Sequence, residues 1–192
     1  MDANVAIYPD LEGKVVVITG GARGAGACTA RAFAAQGALV ASVGPDERAL
    51  EDVVALITAS GGSAIGVAAD VTHPAALFEA ASQVKDLLGP VDVLAAFAGG
   101  RAASGLTSAF LTIRAFAPDM TRRGAGAILT LSSSTGRGGQ DGLVTLATDL
   151  GSRGVRLHCL TPAPPEALSP AGIARASLYL ASEAAAAHLT VS

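Results

Sequence analysis

The sequence predicts a three-layer α/β fold: a doubly wound parallel sheet with helices on both faces. Three observations lead there. Short apolar runs alternate with helical patterns from one end of the 192 residues to the other. The runs are continuously hydrophobic rather than alternating, as strands buried on both faces require. The composition is 51% hydrophobic, 15% charged and only 4% aromatic, which suits a sheet covered by helices of small residues. A chain of this length buries one core, so a single domain over residues 1–192 is expected.

Six runs read as strands: Lys14–Thr19 (KVVVIT), Ala38–Val43 (ALVASV), Ala64–Ala69 (AIGVAA), Asp92–Phe97 (DVLAAF), Ala127–Ser132 (AILTLS) and Val155–Thr161 (VRLHCLT). Between the second and third, Leu50, Val53, Val54 and Ile57 recur at helical spacing until Gly61 and Gly62 supply a stop. Leu77, Ala81, Val84 and Leu88 repeat the pattern after Pro74, a residue that suits a helix's first turn. The proline-rich stretch Thr161–Pro170 reads as loop, with Ser169 opening the next helix. Strand–helix alternation of this kind implies right-handed crossovers and a doubly wound sheet.

Several function classes fall away. A net charge of −3 leaves no basic footprint for nucleic acid. The apolar runs are too short and too interrupted to span a bilayer. The N-terminal MDANVAIYPD has neither the basic start nor the apolar stretch of a signal peptide. Cys28 and Cys159 lie far apart with no Cys-x-x-Cys motif, which reads as reduced thiols in a cytoplasmic protein. His73 reads as a helix-start or surface residue, and His158 alternates with Cys159 so that one of them faces a helix layer. Neither has a metal-ligand partner at usable spacing. A small molecule remains as the expected partner.

The chemistry begins where the first strand runs into Gly20-Gly21-Ala22-Arg23-Gly24-Ala25-Gly26 and a helix opens. Glycines permit a tight turn and let backbone N–H groups approach a pyrophosphate, to which the helix N-terminus adds its positive end. A glycine cluster alone is weak evidence. Here it follows the first strand, opens a helix and precedes a full βαβ unit, which is the confirming context.

With these residues the chain resembles the short-chain dehydrogenase/reductase family, whose members have the Rossmann fold. Thr19-Gly20-x-x-x-Gly24-x-Gly26 matches the family's TGxxxGxG turn, and Ala25 lies inside it. Asp70-Val71 matches the pair that members place against adenine, and Ala98-Gly99 the end of their NNAG motif. Ser133, after the fifth strand, falls where the catalytic serine stands, and Arg156 and Pro162 fall in the "IRVN…PG" stretch. The resemblance implies an NAD(P)-dependent oxidoreductase transferring hydride to or from an alcohol or carbonyl. It implies cofactor binding by Thr19, Gly20, Arg23, Gly24, Ala25, Gly26, Asp70, Val71, Ala98, Gly99 and Pro162, with Ser133 catalytic. NAD-preferring members end the second strand on an acidic residue, but here Gly44 and Pro45 stand there and no carboxylate precedes Asp46. Arg23 lies where a cation can meet a 2′-phosphate, so NADP is favoured over NAD.

Other parts of the pattern are missing. The family's general acid/base is a tyrosine, assisted by a lysine four residues on and by an asparagine. The tyrosines here, Tyr8 and Tyr179, and the lysines, Lys14 and Lys85, lie far from the stretch after Ser133. Asn4 is the sole asparagine; Ala96-Phe97, Gly105 and Ala163 stand where the family motifs differ. The gaps coincide with shortness, since related single-domain enzymes run to roughly 250 residues. One explanation is a minimal member that binds a dinucleotide without catalysing the reaction, as a sensor or partner subunit. The other is loss of active-site segments at Arg101–Gly105, Gly139–Asp141, Ala167–Ser169 and His188–Leu189. The shortenings fall in loops and spare the strands, which favours the second. The tyrosine and lysine would then belong near Gln140, just before a helix over Asp141–Leu150. A third reading keeps the fold and gives the turn another phosphate ligand. Members pair through the helices after the fourth and fifth strands; both read as short here, which leaves homo-oligomerisation open.

Overall fold

The structure, a computed structural model, describes residues 6–97, 102–131, 137–161 and 169–188, without the side chains of 102–106, 137–141 and 186–188. Its sheet has six strands: β1 (Val15–Thr19), β2 (Leu39–Gly44), β3 (Ser63–Ala68), β4 (Val93–Ala96), β5 (Gly126–Leu131) and β6 (Val155–Leu160). Every end lies within one residue of the sequence expectation. The spatial order is β3-β2-β1-β4-β5-β6 and every pairing is parallel. The strand order reverses between β1 and β4, and it is over the carboxyl ends of strands at such a point that this architecture opens a crevice.

Among the described residues, seven α-helices accompany the strands: α1 (Gly24–Ala35), α2 (Glu47–Ala59), α3 (Pro74–Leu88), α4 (Ala102–Arg123), α5 (Arg137–Ser152), α6 (Pro170–Ala181) and α7 (Glu183–His188). Side chains alternate along a strand, so β1 feeds two cores. Val15 and Val17 join Leu77 and Val84 of α3, Ile113, Phe116 and Met120 of α4 and Leu150 of α5. Val16 and Ile18 join Phe33 of α1, Val53 and Ile57 of α2 and Leu178 of α6. Three helices therefore cover each face. Burying the largest of these side chains contributes on the order of 1.5–3 kcal/mol apiece, which holds the turns at the carboxyl edge on a rigid base.

The helices after the fourth and fifth strands are longer than expected. α4 runs for 22 residues and α5 for 16. α4 continues through Pro118, although proline removes one helical hydrogen bond. The buried stripe of Ala109, Ile113, Phe116, Ala117 and Met120 on either side of it outweighs that loss. α5 starts four residues before Asp141 and runs through Gly139–Asp141. Gly142 lies against the Phe110 ring, 3.4 Å from where a Cβ would stand, and Leu143 and Leu150 bury the helix's inner face. The windows Arg101–Gly105, Ala167–Ser169 and His188–Leu189 each reach outside the described residues. No helix among the described residues is long and apolar enough to cross a membrane.

Candidate functional site

The turn leaving β1 is shaped by what its glycines lack. Gly20 has φ +68°, and its N–H donates to the Val43 carbonyl at 2.9 Å, which anchors the turn to β2. A Cβ on Gly26 would stand 2.1 Å from the Gly20 carbonyl oxygen, so α1 can lie on the turn only with glycine there. Gly24, at φ +54°, has nothing within 4 Å of a Cβ's place. The turn is thus closed beneath Gly26 and open above Gly24. α1 starts from Arg23 with no side-chain cap, and the first N–H groups of a helix have no intrahelical acceptor. An anion can therefore approach backbone donors directly.

Thr19, read as a cofactor residue, is buried at 1% exposure. Its hydroxyl donates to the Phe97 carbonyl at 3.4 Å and ties the end of β1 to the end of β4. It acts on the crevice by fixing the two strands that border it. Gly44, at the end of β2, is open above its Cα, and its carbonyl accepts from Ala69 N–H at 2.9 Å. The ends of β2 and β3 are thereby held together.

Asp70 follows β3. One carboxylate oxygen accepts from the Thr72 backbone N–H at 2.8 Å and hydroxyl at 2.7 Å; the other lies 3.1 Å from His73 Nδ1. The Thr72 N–H above all, with its hydroxyl and His73, holds this carboxyl below the usual range. Asp70 is therefore a fixed negative charge at the crevice edge. Val71, half-buried, packs against the α3–α4 core.

Arg23 makes a contact the sequence did not suggest. Its guanidinium donates to the Asp46 carboxylate at 2.6 Å. The other Asp46 oxygen accepts from Ala49 N–H at 3.0 Å and caps α2. Asp46 ahead of a helical pattern was a legible capping signal; its pairing across 23 residues had no local signal. Ala98, Gly99, Ser133 and Pro162 lie outside the described residues. Arg156 points away from the crevice, donating to the carbonyls of Leu180, Ala181 and Ser182 at 3.0–3.2 Å, where it closes the end of α6. His158 is half-buried beside the exposed Cys159, as the alternation implied, and burial pushes its pKa down. Among the described residues, no three His, Cys, Asp or Glu side chains gather as metal ligands.

The glycine turn, the Arg23–Asp46 pair and Asp70 thus follow the carboxyl ends of β1, β2 and β3, the edge at which this architecture opens its crevice. A family model described as short chain dehydrogenase matches residues 14–148, a stretch that includes all of them. A short chain dehydrogenase of Pseudocercospora fijiensis is 35% identical over 156 residues, covering 69% of this chain and 50% of that protein. The chain thus spans half the length of that relative. A 2,5-dichloro-2,5-cyclohexadiene-1,4-diol dehydrogenase of Sphingobium indicum is 29% identical over 91% of each chain. That alignment runs over 228 positions against the 192 residues here, so the relative carries stretches this chain lacks. Among solved structures, a metagenomic short-chain oxidoreductase in complex with NADP superposes with a TM-score of 0.79 and 30% identity, covering 89% of this chain and 91% of the other.

Proposed function

The chain belongs to the short-chain dehydrogenase family, and from that premise we propose that it is the single dinucleotide-binding domain of an NAD(P)-dependent oxidoreductase acting on an alcohol or carbonyl. The observation that carries this reading is the turn, open to an anion above Gly24 and closed to any side chain beneath Gly26. Gly20, Arg23, Gly24, Ala25 and Gly26 would hold the pyrophosphate and adjoining ribose, with Asp70 and Val71 at the adenine. Ala98, Gly99 and Pro162 would border the remainder, and Thr19 would keep β1 and β4 in register beneath it. The bound nicotinamide supplies the hydride. Ser133, two positions beyond Leu131 in the sequence, would steer the substrate carbonyl by its hydroxyl. The diol dehydrogenase among the relatives supports an alcohol as substrate class.

Proton transfer needs a group this chain does not place after Ser133. The longer alignment of the diol dehydrogenase supports assigning it to a tyrosine and lysine of a stretch that such relatives carry. A second reading, a dinucleotide binder without catalysis, is favoured by the absence of that pair from the sequence. NADP is the preferred cofactor on the strength of Arg23. Two unpaired cysteines, Cys28 and Cys159, support a cytoplasmic setting. An apolar groove of about 490 Å³ between α4 and α5, lined by Phe110, Ile113, Ala117, Leu146 and Leu150 among others, supports a homo-oligomer.

The test is a fluorescence titration with NADPH and NADH, followed by consumption of the reduced cofactor with a panel of ketones and aldehydes. Binding with turnover supports the oxidoreductase. Binding without turnover supports the second reading, and no binding refutes both.

A further inference from the structure

The amino edge of the sheet, opposite the glycine turn, carries a second cavity. It has a volume of about 290 Å³ and lies where β1, β4, β5 and β6 begin. At about 3.3 Å per residue along β1, Lys14 on this edge is on the order of 20 Å from Gly20. Glycine keeps the cavity open. Gly124 and Gly154, at φ +67° and +75°, sit in the turns leading into β5 and β6, and a Cβ on Gly154 would stand 2.2 Å from the Gly124 carbonyl oxygen. The two turns therefore lie backbone against backbone, and the wall they form is peptide, which a ligand can approach closely.

Among the described residues, five charged side chains line the rest: Asp10, Lys14, Asp92, Arg156 and Glu183. Three are committed to the fold. Asp92 accepts from Val15 N–H at 3.0 Å and from Arg123 at 3.2 Å. Arg156 donates to the carbonyls that end α6. Asp10, in the 3₁₀ turn Pro9–Leu11, spends one oxygen on Glu183 N–H at 2.8 Å. The other two are not committed. Among the described residues, the Lys14 ammonium and the Glu183 carboxylate make no ion pair and no hydrogen bond. An exposed lysine or a glutamate in a helix's first turn is ordinary taken singly. Here both are left open on one cavity.

We propose that this cavity binds a small zwitterion of the free amino-acid type, its carboxylate on Lys14 and its ammonium on Glu183 and the second Asp10 oxygen. The charge balance selects this class. A lone anion meets three carboxylates, and a lone cation meets Lys14 and Arg156. A ligand with both charges a few bonds apart gives each open group its opposite. Burial pushes the Arg156 pKa down while Asp10 and Glu183 push it back up, so these carboxylates lie within electrostatic reach of that guanidinium and leave Lys14 to take the ligand's anion. The volume sits at the small end of ligand pockets, which run from about 300 Å³ upwards. The site is separate from the dinucleotide crevice and does not depend on it.

The test starts with thermal melts of the protein in each standard L-amino acid at millimolar concentration, followed by calorimetric titration of those that raise the melting temperature. For each of these, the matching amine without the carboxylate and the matching acid without the amine are titrated too. Wild type should bind at least one amino acid, and both analogues should bind about tenfold more weakly or worse, as loss of one charged hydrogen-bonding group implies. Lys14→Met and Glu183→Gln should each weaken the amino acid about tenfold or more and leave NADPH affinity unchanged. Both side chains are exposed and unbonded, so the melting temperatures of the free variants should hold. The proposal is overturned if no amino acid binds, if the amine or the acid alone binds as tightly, or if either variant keeps full affinity. The analogue series is read on wild type and needs no variant to fold. Amino-acid binding by a protein that takes no NADPH would refute the dinucleotide reading and leave this one standing.

Discussion

An alanine at Gly26 would bring its Cβ to 2.1 Å from the Gly20 carbonyl oxygen, 2.7 Å from the carbonyl carbon and 3.0 Å from Gly21 Cα. All three obstacles are backbone, so no side chain can rotate away. Either α1 lifts off β1 by more than an ångström or the turn unwinds. Overpacking a well-filled site costs about 1–3 kcal/mol, and a backbone obstacle belongs at the upper end, about 3 kcal/mol. For a domain near this size each kcal/mol moves the melting temperature by about 2–4 °C, so Gly26→Ala should lower it by about 6–12 °C. Gly24→Ala is the matched contrast, because nothing lies within 4 Å of its Cβ position and only the φ of +54° is strained. That strain is about 1–2 kcal/mol, a loss of about 2–8 °C. Its methyl group nevertheless enters the space an anion would use. Circular-dichroism melts and NADPH titrations of both variants give the comparison. Gly26→Ala should lose stability and binding together, whereas Gly24→Ala should weaken NADPH by at least about tenfold with the smaller thermal loss. The reasoning fails if Gly26→Ala melts within about 2 °C of wild type or if Gly24→Ala binds NADPH normally.

Arg23→Ala should weaken NADPH and leave NADH almost unchanged in titrations; equal losses for both would remove Arg23 from the 2′-phosphate. His158 is held neutral in the fold, by burial first and by the nearby Arg156 second. Its unfolded pKa, about 6.5, lies above the folded one, so its contribution is complete above pH ~6.5 and is lost as pH falls through the folded value. His158→Gln should flatten the fall in melting temperature below pH ~6.5, and an unchanged slope would discard this account. Phe110→Asp places a charge in the α4–α5 groove and should convert an oligomer to monomer in light scattering; a monomeric wild type would refute pairing through that face.

The strands were legible because each is a short run of Val, Ile, Leu and Ala bounded by glycine, proline or charge. Lys14 and Gly20 bracket β1, and Gly37 and Pro45 bracket β2. A parallel strand buried on both faces leaves few other ways to write such a run. The glycine turn was legible for a related reason, since the approach of α1 to Gly20 tolerates no side chain at 26. The lengths of α4 and α5 were not. Pro118, Gly139 and Gly142 weaken local helix propensity, and packing of Phe116, Met120, Leu143 and Leu150 overrides it. Nor was the ion pair at the crevice, because the proximity of Arg23 and Asp46 is a product of β1 and β2 lying side by side. Ser133, Ala98, Gly99 and Pro162 were read from motif position alone and keep that standing.

The seam between β1 and β4 has a consequence for how the chain reaches this fold. Val15 N–H bonds to the Asp92 carboxylate 77 residues away, and Thr19 to Phe97 across 78. The β1–β2 and β2–β3 pairings span far shorter loops and can assemble first. Until β4 arrives, one edge of β1 stays unpaired, and an exposed apolar strand edge invites pairing with another chain. Docking of β4 is then the slow, non-local step that joins the two halves. The crevice lies on this same seam, so any ligand that bridges the seam and binds only the closed form shifts the balance towards completed molecules by mass action. Yield of folded protein on refolding should therefore rise with the concentration of whichever dinucleotide fits best.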